Sequence, residues 1–221
     1  DDTVNFQVYG NMEPQKAATE AVRETEGQIL CQDGEAVEAY YFSTSAGVTS
    51  TDEIWGSDEA APYLRSVPCK FDEEEPWSSW IVELPWKMLE DRIREKGEGT
   101  VLRSVTVTRR SESGAATALE AVSDKDSCII ENEYEIRKFL APVNCMITEK
   151  DGTETAGGSL LPSAYFELER TQNGNLQVRG KGYGHGVGMS QTGADKMAEQ
   201  GYDYREILDY FFRNITVENL G

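Results

Sequence analysis

Scarcity marks the 221-residue sequence first: one histidine, 21 basic side chains against 40 acidic ones, and four cysteines. It also lacks any apolar run of about 18 residues, the length a membrane-spanning helix needs, so no membrane span is expected. The shortage of cations leaves a net charge of −19, which repels the phosphate backbone of nucleic acids and disfavours anionic lipid surfaces. Cys31, Cys69, Cys128 and Cys145 show no CxxC spacing, and His185 stands far from all of them in sequence. Clustered Cys and His ligands are what a structural zinc site requires, so neither a metal site nor a cofactor is expected. Two readings of the cysteines stay open: a Cys128–Cys145 disulfide in an oxidising compartment, or four buried thiols. The chain opens at Asp1 without methionine or signal peptide, which leads to the expectation of a processed or trimmed chain.

What remains is a globular composition: 38% hydrophobic, 10% aromatic and 28% charged. Helix formers fill 13–28, with Gly27 as a stop, and Asp33-Gly34 marks a hairpin within 31–39. Residues 43–53 read as loop, and 68–78, with Asp72-Glu73-Glu74-Glu75, as a solvated charged loop. Trp86, Leu89 and Ile93 sit at helical spacing. Alternation over 101–108 and again over 115–122 gives two strands around Ser113-Gly114. Residues 131–140 read as helix, 149–159 as a polar connector, and 163–179 as a hairpin turning at Asn173-Gly174. Two helices close the chain, one from Gln191 to Glu199, the other capped by Asp203 with Glu206. Helices and strands mix without a βαβ rhythm, so the expected fold class is α+β, mixed and β-rich, as one domain over 1–221 with room for a subdomain at about 68–150.

The most informative stretch runs from Gly180 to Ala194, where glycine occupies 180, 182, 184, 186 and 188. Read as a strand, it has one face bare of side chains and the other carrying Lys181, Tyr183, His185 and Val187. The bare face admits either a ligand, flooring a groove beside the imidazole, or another segment of the same chain, with His185 a satisfied core residue. The tract leads into a helix start at Ser190-Gln191, whose free amides favour oxygen-rich groups, although phosphate-loop and dinucleotide spacings are absent. A second segment, Tyr40-Tyr41-Phe42-Ser43-Thr44-Ser45-Ala46-Gly47-Val48-Thr49, sets aromatics beside hydroxyls, a surface suited to a sugar or equally a core strand entering a capped turn.

GYGHGVGMSQTGA at 182–194 resembles the signature of the stage II sporulation protein D family, which includes the amidase-enhancer (LytB) type. Five further elements occur in the family's order: Gln7-Val8-Tyr9; Ala21-Val22 followed by Thr25 to Leu30; Ser43 to Thr49 followed by Trp55-Gly56; Pro62 to Val67; and Glu135 to Leu140. The resemblance implies a sporulation-type lytic transglycosylase that cuts peptide-stripped peptidoglycan glycan strands, leaving an anhydro-muramyl end. One carboxylic acid serves such a reaction as acid and then base. The family's catalytic glutamate precedes the Gln7 element, so it is expected upstream of this chain, and no catalytic residue is assigned within it. Asn11-Met12-Glu13-Pro14 looks like the family's GEMP segment but follows the Gln7 element, so it is set aside. Family zinc ligands lie near that element too, where Val4, Asn5 and Phe6 stand here. Phe42 and Ala46 replace a frequent His and Gly of the family's hydroxyl block.

The expected glycan-lining residues are Gln7, Ser43, Ser45, Thr49, Tyr183, His185, Ser190 and Gln191, with His185 and Gln191 donating to sugar oxygens. Expected partners are glycan strands and, in a non-catalytic binding or amidase-enhancing alternative, a cell-wall amidase. The expected location is extracytoplasmic, in the cell envelope, anchored or secreted. Given the charge, recognition is expected to rest on neutral sugars.

Overall fold

The computed structural model describes residues 13–220. Helix α1 spans Lys16–Glu24, followed by β1 (Gln28–Gln32), β2 (Glu35–Ala36), β3 (Tyr41–Phe42) and β4 (Trp80–Leu84). Then come α2 (Trp86–Glu95), β5 (Leu102–Arg110), β6 (Ala116–Ser123), β7 (Ser127–Glu131) and α3 (Glu133–Phe139). The remainder holds β8 (Met146–Glu149), β9 (Glu154–Ala156), β10 (Phe166–Arg170), β11 (Leu176–Gly180), β12 (Met189–Ser190), α4 (Gln191–Glu199), α5 (Tyr204–Phe211) and β13 (Thr216–Asn219). The class is α+β and β-rich. Among the described residues no helix is long and apolar enough to cross a membrane.

The chain divides into two units. The smaller comprises residues 1–37 and 216–221. In it β1 pairs antiparallel with β13 on one side and β2 on the other. Asp33 and Gly34, both at positive φ, make the tight hairpin that the sequence signals.

The larger unit, residues 38–215, contains an antiparallel five-stranded sheet in the order β10-β11-β4-β8-β9 and a three-stranded sheet β5-β6-β7. Alternation in β4 sends Trp80, Val82 and Leu84 inward, all at most 1% exposed, to a core shared with Leu89 and Ile93 of α2. Ile136 of α3, Leu119 of β6 and Val178 of β11 complete the same cluster. Each such side chain contributes about 1.5–3 kcal/mol by leaving water. Both C-terminal helices start where the sequence puts them, with Ser190 accepting from the Gly193 N–H and a full Asp203/Glu206 capping box.

Three local differences from the sequence reading have simple causes. The 149–159 connector contains β9, an edge strand held only through β8. Beyond Gly180, the last residue of β11, the glycine tract forms a strand only at Met189–Ser190, because Gly182, Gly184, Gly186 and Gly188 all take positive φ, a region a strand does not use. Asp72 is not solvated: it is 1% exposed, while Glu73 and Glu74 beside it face water. All four cysteines are free thiols, Cys31 and Cys69 buried, Cys128 and Cys145 half-buried.

Candidate functional site: an open groove beside a closed glycine framework

The glycine tract is built into the body of the larger unit. A Cβ on Gly180 would fall 2.0 Å from the Trp80 ring, and the Trp80 indole donates to the Gly182 carbonyl at 2.8 Å. A Cβ on Gly182 would meet the Thr44 carbonyl oxygen at 2.8 Å, and one on Gly188 the Tyr40 carbonyl oxygen at 2.1 Å. Gly184 lies against Phe42 and Gly186 against the Tyr165 ring. The bare faces are therefore filled by the protein's own backbone and rings. The expected groove floor does not exist at these glycines, and their absent side chains serve close packing of two segments. Tyr183 and Thr44 exchange backbone hydrogen bonds at 2.8 and 3.1 Å, and the Ser50 N–H donates to the Gly186 carbonyl at 2.6 Å.

Beneath the tract sits Asp72. Its carboxylate accepts from the Ser45 N–H at 2.8 Å, the Ser45 hydroxyl at 2.7 Å and the Ser190 hydroxyl at 2.6 Å. Cys69 packs against it, and burial, then the Asp72 charge, push that thiol up to about 12, so it stays protonated and inert. Thr49 accepts from the Val67 N–H at 3.0 Å. Ser45, Thr49 and Ser190, each at most 1% exposed, thus spend their hydroxyls inside the protein and hold the two chain segments together. They are not open to a ligand.

His185 is half-buried, edge-on to Trp55 with centroids 5.2 Å apart and to Phe42 at 5.8 Å. Its Nδ1 accepts from the Val187 N–H at 3.1 Å. Burial, then the Arg137 charge, push the imidazole down to about 4 against the opposing effect of its bond to the Tyr41 backbone. The ring is neutral at pH 7, with Nδ1 taken up by the Val187 N–H. The row of Lys181, Tyr183, His185 and Val187 is not one face either: Lys181 and Tyr183 are exposed, Val187 is fully buried. Behind the ring, Arg137 donates to the Leu161 and Pro162 carbonyls and pairs with buried Glu133 at 2.6 Å.

Of the other expected residues, Ser43 is half-buried and close to Thr44, Tyr183 is 43% exposed with Trp77 edge-on at 4.6 Å, and Gln191 is exposed at the start of α4. Gln7, with Val4, Asn5 and Phe6, lies outside the described residues. Glu13 is exposed just before α1. Among the described residues no three His, Cys, Asp or Glu side chains gather as a metal would need.

The open space lies elsewhere in the same unit. A groove of about 890 Å³, inside the range usual for ligand pockets, is lined by Thr51, Glu53, Arg65, Ser66 and Glu112, with Val48 and Ser113 at one side. The 3₁₀ turn Asp52–Trp55 ties this groove to the aromatic cluster, since Glu53 lines the groove while Trp55 packs on His185 and on Tyr40 at 5.0 Å. A second groove of about 260 Å³ shares Val48 and Ser113 and is lined by Arg110, Glu167, Arg179 and Lys181. Ser113, common to both, belongs to a hydroxyl cluster: it lies 2.7 Å from Ser50 and 3.1 Å from Tyr165, and Ser50 lies 2.5 Å from Tyr165. Nothing in the sequence marks this groove: Arg65 lies within the Pro62 to Val67 element, but Glu53, Arg110 and Glu112 carry no pattern that sets them apart from solvated charges.

The family described as "Domain of unknown function (DUF8618)" matches residues 69–188. Stage II sporulation protein D of Bacillus amyloliquefaciens is 30% identical over 229 aligned residues, covering 98% of this chain and 59% of that protein. An uncharacterised protein of Brachyspira hyodysenteriae is 29% identical, covering 98% and 53%, and the amidase enhancer of Bacillus subtilis 23% identical, covering 98% and 34%. The chain spans about half the length of the first of these relatives. It belongs to the DUF8618 family and is a homologue of stage II sporulation protein D and the amidase enhancer.

Proposed function

We propose that this chain is the glycan-handling part of a cell-wall lytic transglycosylase of sporulation type, acting outside the cytoplasm on peptide-stripped peptidoglycan strands. The observation that carries the reading is the groove lined by Glu53, Arg65, Ser66 and Glu112, tied through one short turn to the Trp55, Tyr40 and His185 rings. Carboxylates and a guanidinium offer hydrogen bonds to sugar hydroxyls and N-acetyl groups, and aromatic rings suit the apolar face of a pyranose. The likeness to a protein named stage II sporulation protein D, over 98% of the chain, supports the cell-wall setting.

In the proposed reaction a carboxylic acid protonates the glycosidic oxygen as the bond to the anomeric carbon breaks. The muramyl 6-hydroxyl attacks that carbon and returns its proton to the same carboxylate, so no water is consumed and an anhydro ring closes. The acid is a glutamate upstream of Gln7-Val8-Tyr9, as the resemblance implies. Within this chain the groove holds the strand in register, and exposed Tyr183 and Gln191 with half-buried Ser43 remain candidate contacts. His185 acts by bracing Trp55, and Ser45, Thr49 and Ser190 by fixing the backbone.

A non-catalytic module that binds glycan beside a cell-wall amidase is the second reading, favoured by the likeness to a protein named amidase enhancer. Peptide-stripped strands incubated with the 221-residue chain and with its parent protein separate the two. The first reading predicts that both bind strands and that only the parent releases anhydro-muramyl products. Binding without release by either favours the second. Release by the 221-residue chain moves the acid inside it, with Glu13 as the candidate, and no binding by either removes the glycan account.

A further inference from the structure

The smaller groove runs against the net charge of the molecule. In a chain of net charge −19 it gathers three cations, Arg110, Arg179 and Lys181, against one lining carboxylate, Glu167. The larger groove has the opposite balance, Glu53 and Glu112 against Arg65. The two share Val48 and Ser113, so a strand lying along them would pass from an acidic to a basic stretch.

Backbone geometry fixes the cations. Arg179 leaves the exposed side of β11 directly across from Glu167 on β10, and Lys181 follows one residue after that strand ends, its N–H held by the Tyr165 carbonyl at 2.9 Å. Arg110, at the end of β5, is anchored from behind by the Gly114 and Phe166 carbonyls at 3.0 and 2.7 Å. That leaves it aimed at one carboxylate oxygen, presently Glu167 Oε1 at 3.0 Å. The Glu167 side chain is 83% exposed, so it is a weakly held occupant that a ligand carboxylate can displace. Arg179 likewise meets Glu169 at 3.0 Å in an exposed pair. Lys181 is exposed beside them.

We propose that this groove is a subsite for a carboxylate carried on the sugar of the bound strand, read by Arg110, Arg179 and Lys181. The inference rests on the glycan reading above and names the substituent that the strand presents there. A muramyl residue stripped of its peptide bears a free lactyl carboxylate. The same residue with its peptide attached bears a neutral amide at that position. The subsite therefore favours stripped strands by charge, although the molecule as a whole is acidic. At physiological salt the screening length is about 8 Å, so the distant acidic residues of the chain act weakly on a group held among these three cations.

Binding of the 221-residue chain to stripped strands, and to the same strands with the lactyl carboxylates amidated, tests this at low and high salt. The wild type should prefer the free carboxylate by about tenfold, the scale of one charge-assisted hydrogen bond, and the preference should shrink with salt. The double variant Arg179→Gln, Lys181→Gln should lose the preference, its affinity for stripped strands falling to that for amidated ones. Both positions are exposed, and Lys181→Glu, which should invert the preference, guards against a purely structural effect. Equal wild-type affinity for both strands, or a preference that survives in the double variant, overturns the subsite while leaving the glycan reading standing. Failure to bind either strand removes that reading as well. Tighter binding to a glycerol-phosphate polymer than to stripped strands would assign the cations to phosphate and overturn the carboxylate.

Discussion

The glycine framework at 180–193 and the groove around Val48 and Ser113 lie in one unit but follow opposite rules. In the framework every unusual feature of the sequence is consumed internally: glycines by the Trp80 and Tyr165 rings and the Thr44 and Tyr40 carbonyls, hydroxyls by Asp72, the imidazole by Val187 and Tyr41. In the groove ordinary charged residues stand open, Arg65, Glu53 and Glu112 on one side and Arg179 and Lys181 on the other. Rarity of sequence here reports how tightly the backbone is packed, and availability to a ligand goes to exposed residues whose bonds, where they have them, are to other exposed groups.

That contrast can be broken by substitution. The largest loss is expected from Arg137→Met, which strands buried Glu133 without its partner and should cost about 3–5 kcal/mol in a urea titration. Gly188→Ala comes next: the new Cβ would sit 2.1 Å from the Tyr40 oxygen at a φ of +79, costing about 3 kcal/mol by strain and collision. Ser190→Ala removes the cap of α4 and one donor to Asp72, for about 1–2 kcal/mol. At the other extreme, Arg65→Gln in the groove should leave the denaturation midpoint within about 0.5 kcal/mol of wild type while weakening strand binding. A fold that survives Gly188→Ala unchanged, or collapses with Arg65→Gln, would erase the distinction.

A smaller effect sharpens it through pH. The folded His185 titrates near 4 against an ordinary value of 6.5, so between those limits the unfolded chain holds a proton that the fold does not. The neutral imidazole's contribution is complete above 6.5 and is lost as pH falls towards 4. His185→Phe keeps a ring against Trp55 and should reduce the slope of stability with pH in that window by up to about one proton. An unchanged slope would mean that the imidazole is solvated in the fold.

Much of the fold was legible because local signals agreed with tertiary packing. The Asp33-Gly34 hairpin, the Leu89/Ile93 face of α2, the 102–123 strand pair and the Asp203 capping box all form where their residues indicate. The edge strand β9 was not legible, since Glu154-Thr155-Ala156 has no apolar alternation and is held by its neighbour's backbone. At the site, the importance of 180–194 was legible but its occupant was not. A bare glycine face is equally open to a ligand and to a carbonyl, and only tertiary contact decides. Asp72 was hidden in a run of glutamates because one buried carboxylate among exposed ones leaves no periodic trace.

On the proposed function, ligand meets the groove and not the glycine tract. Titrating the isotopically labelled chain with a stripped-glycan oligosaccharide, and following backbone amide resonances, tests it directly. Shifts should concentrate at Val48, Glu53, Arg65, Ser113 and Lys181, while Gly182 and Gly188 hold still. Shifts centred on Gly182 to Gly188, with the groove amides silent, would contradict it.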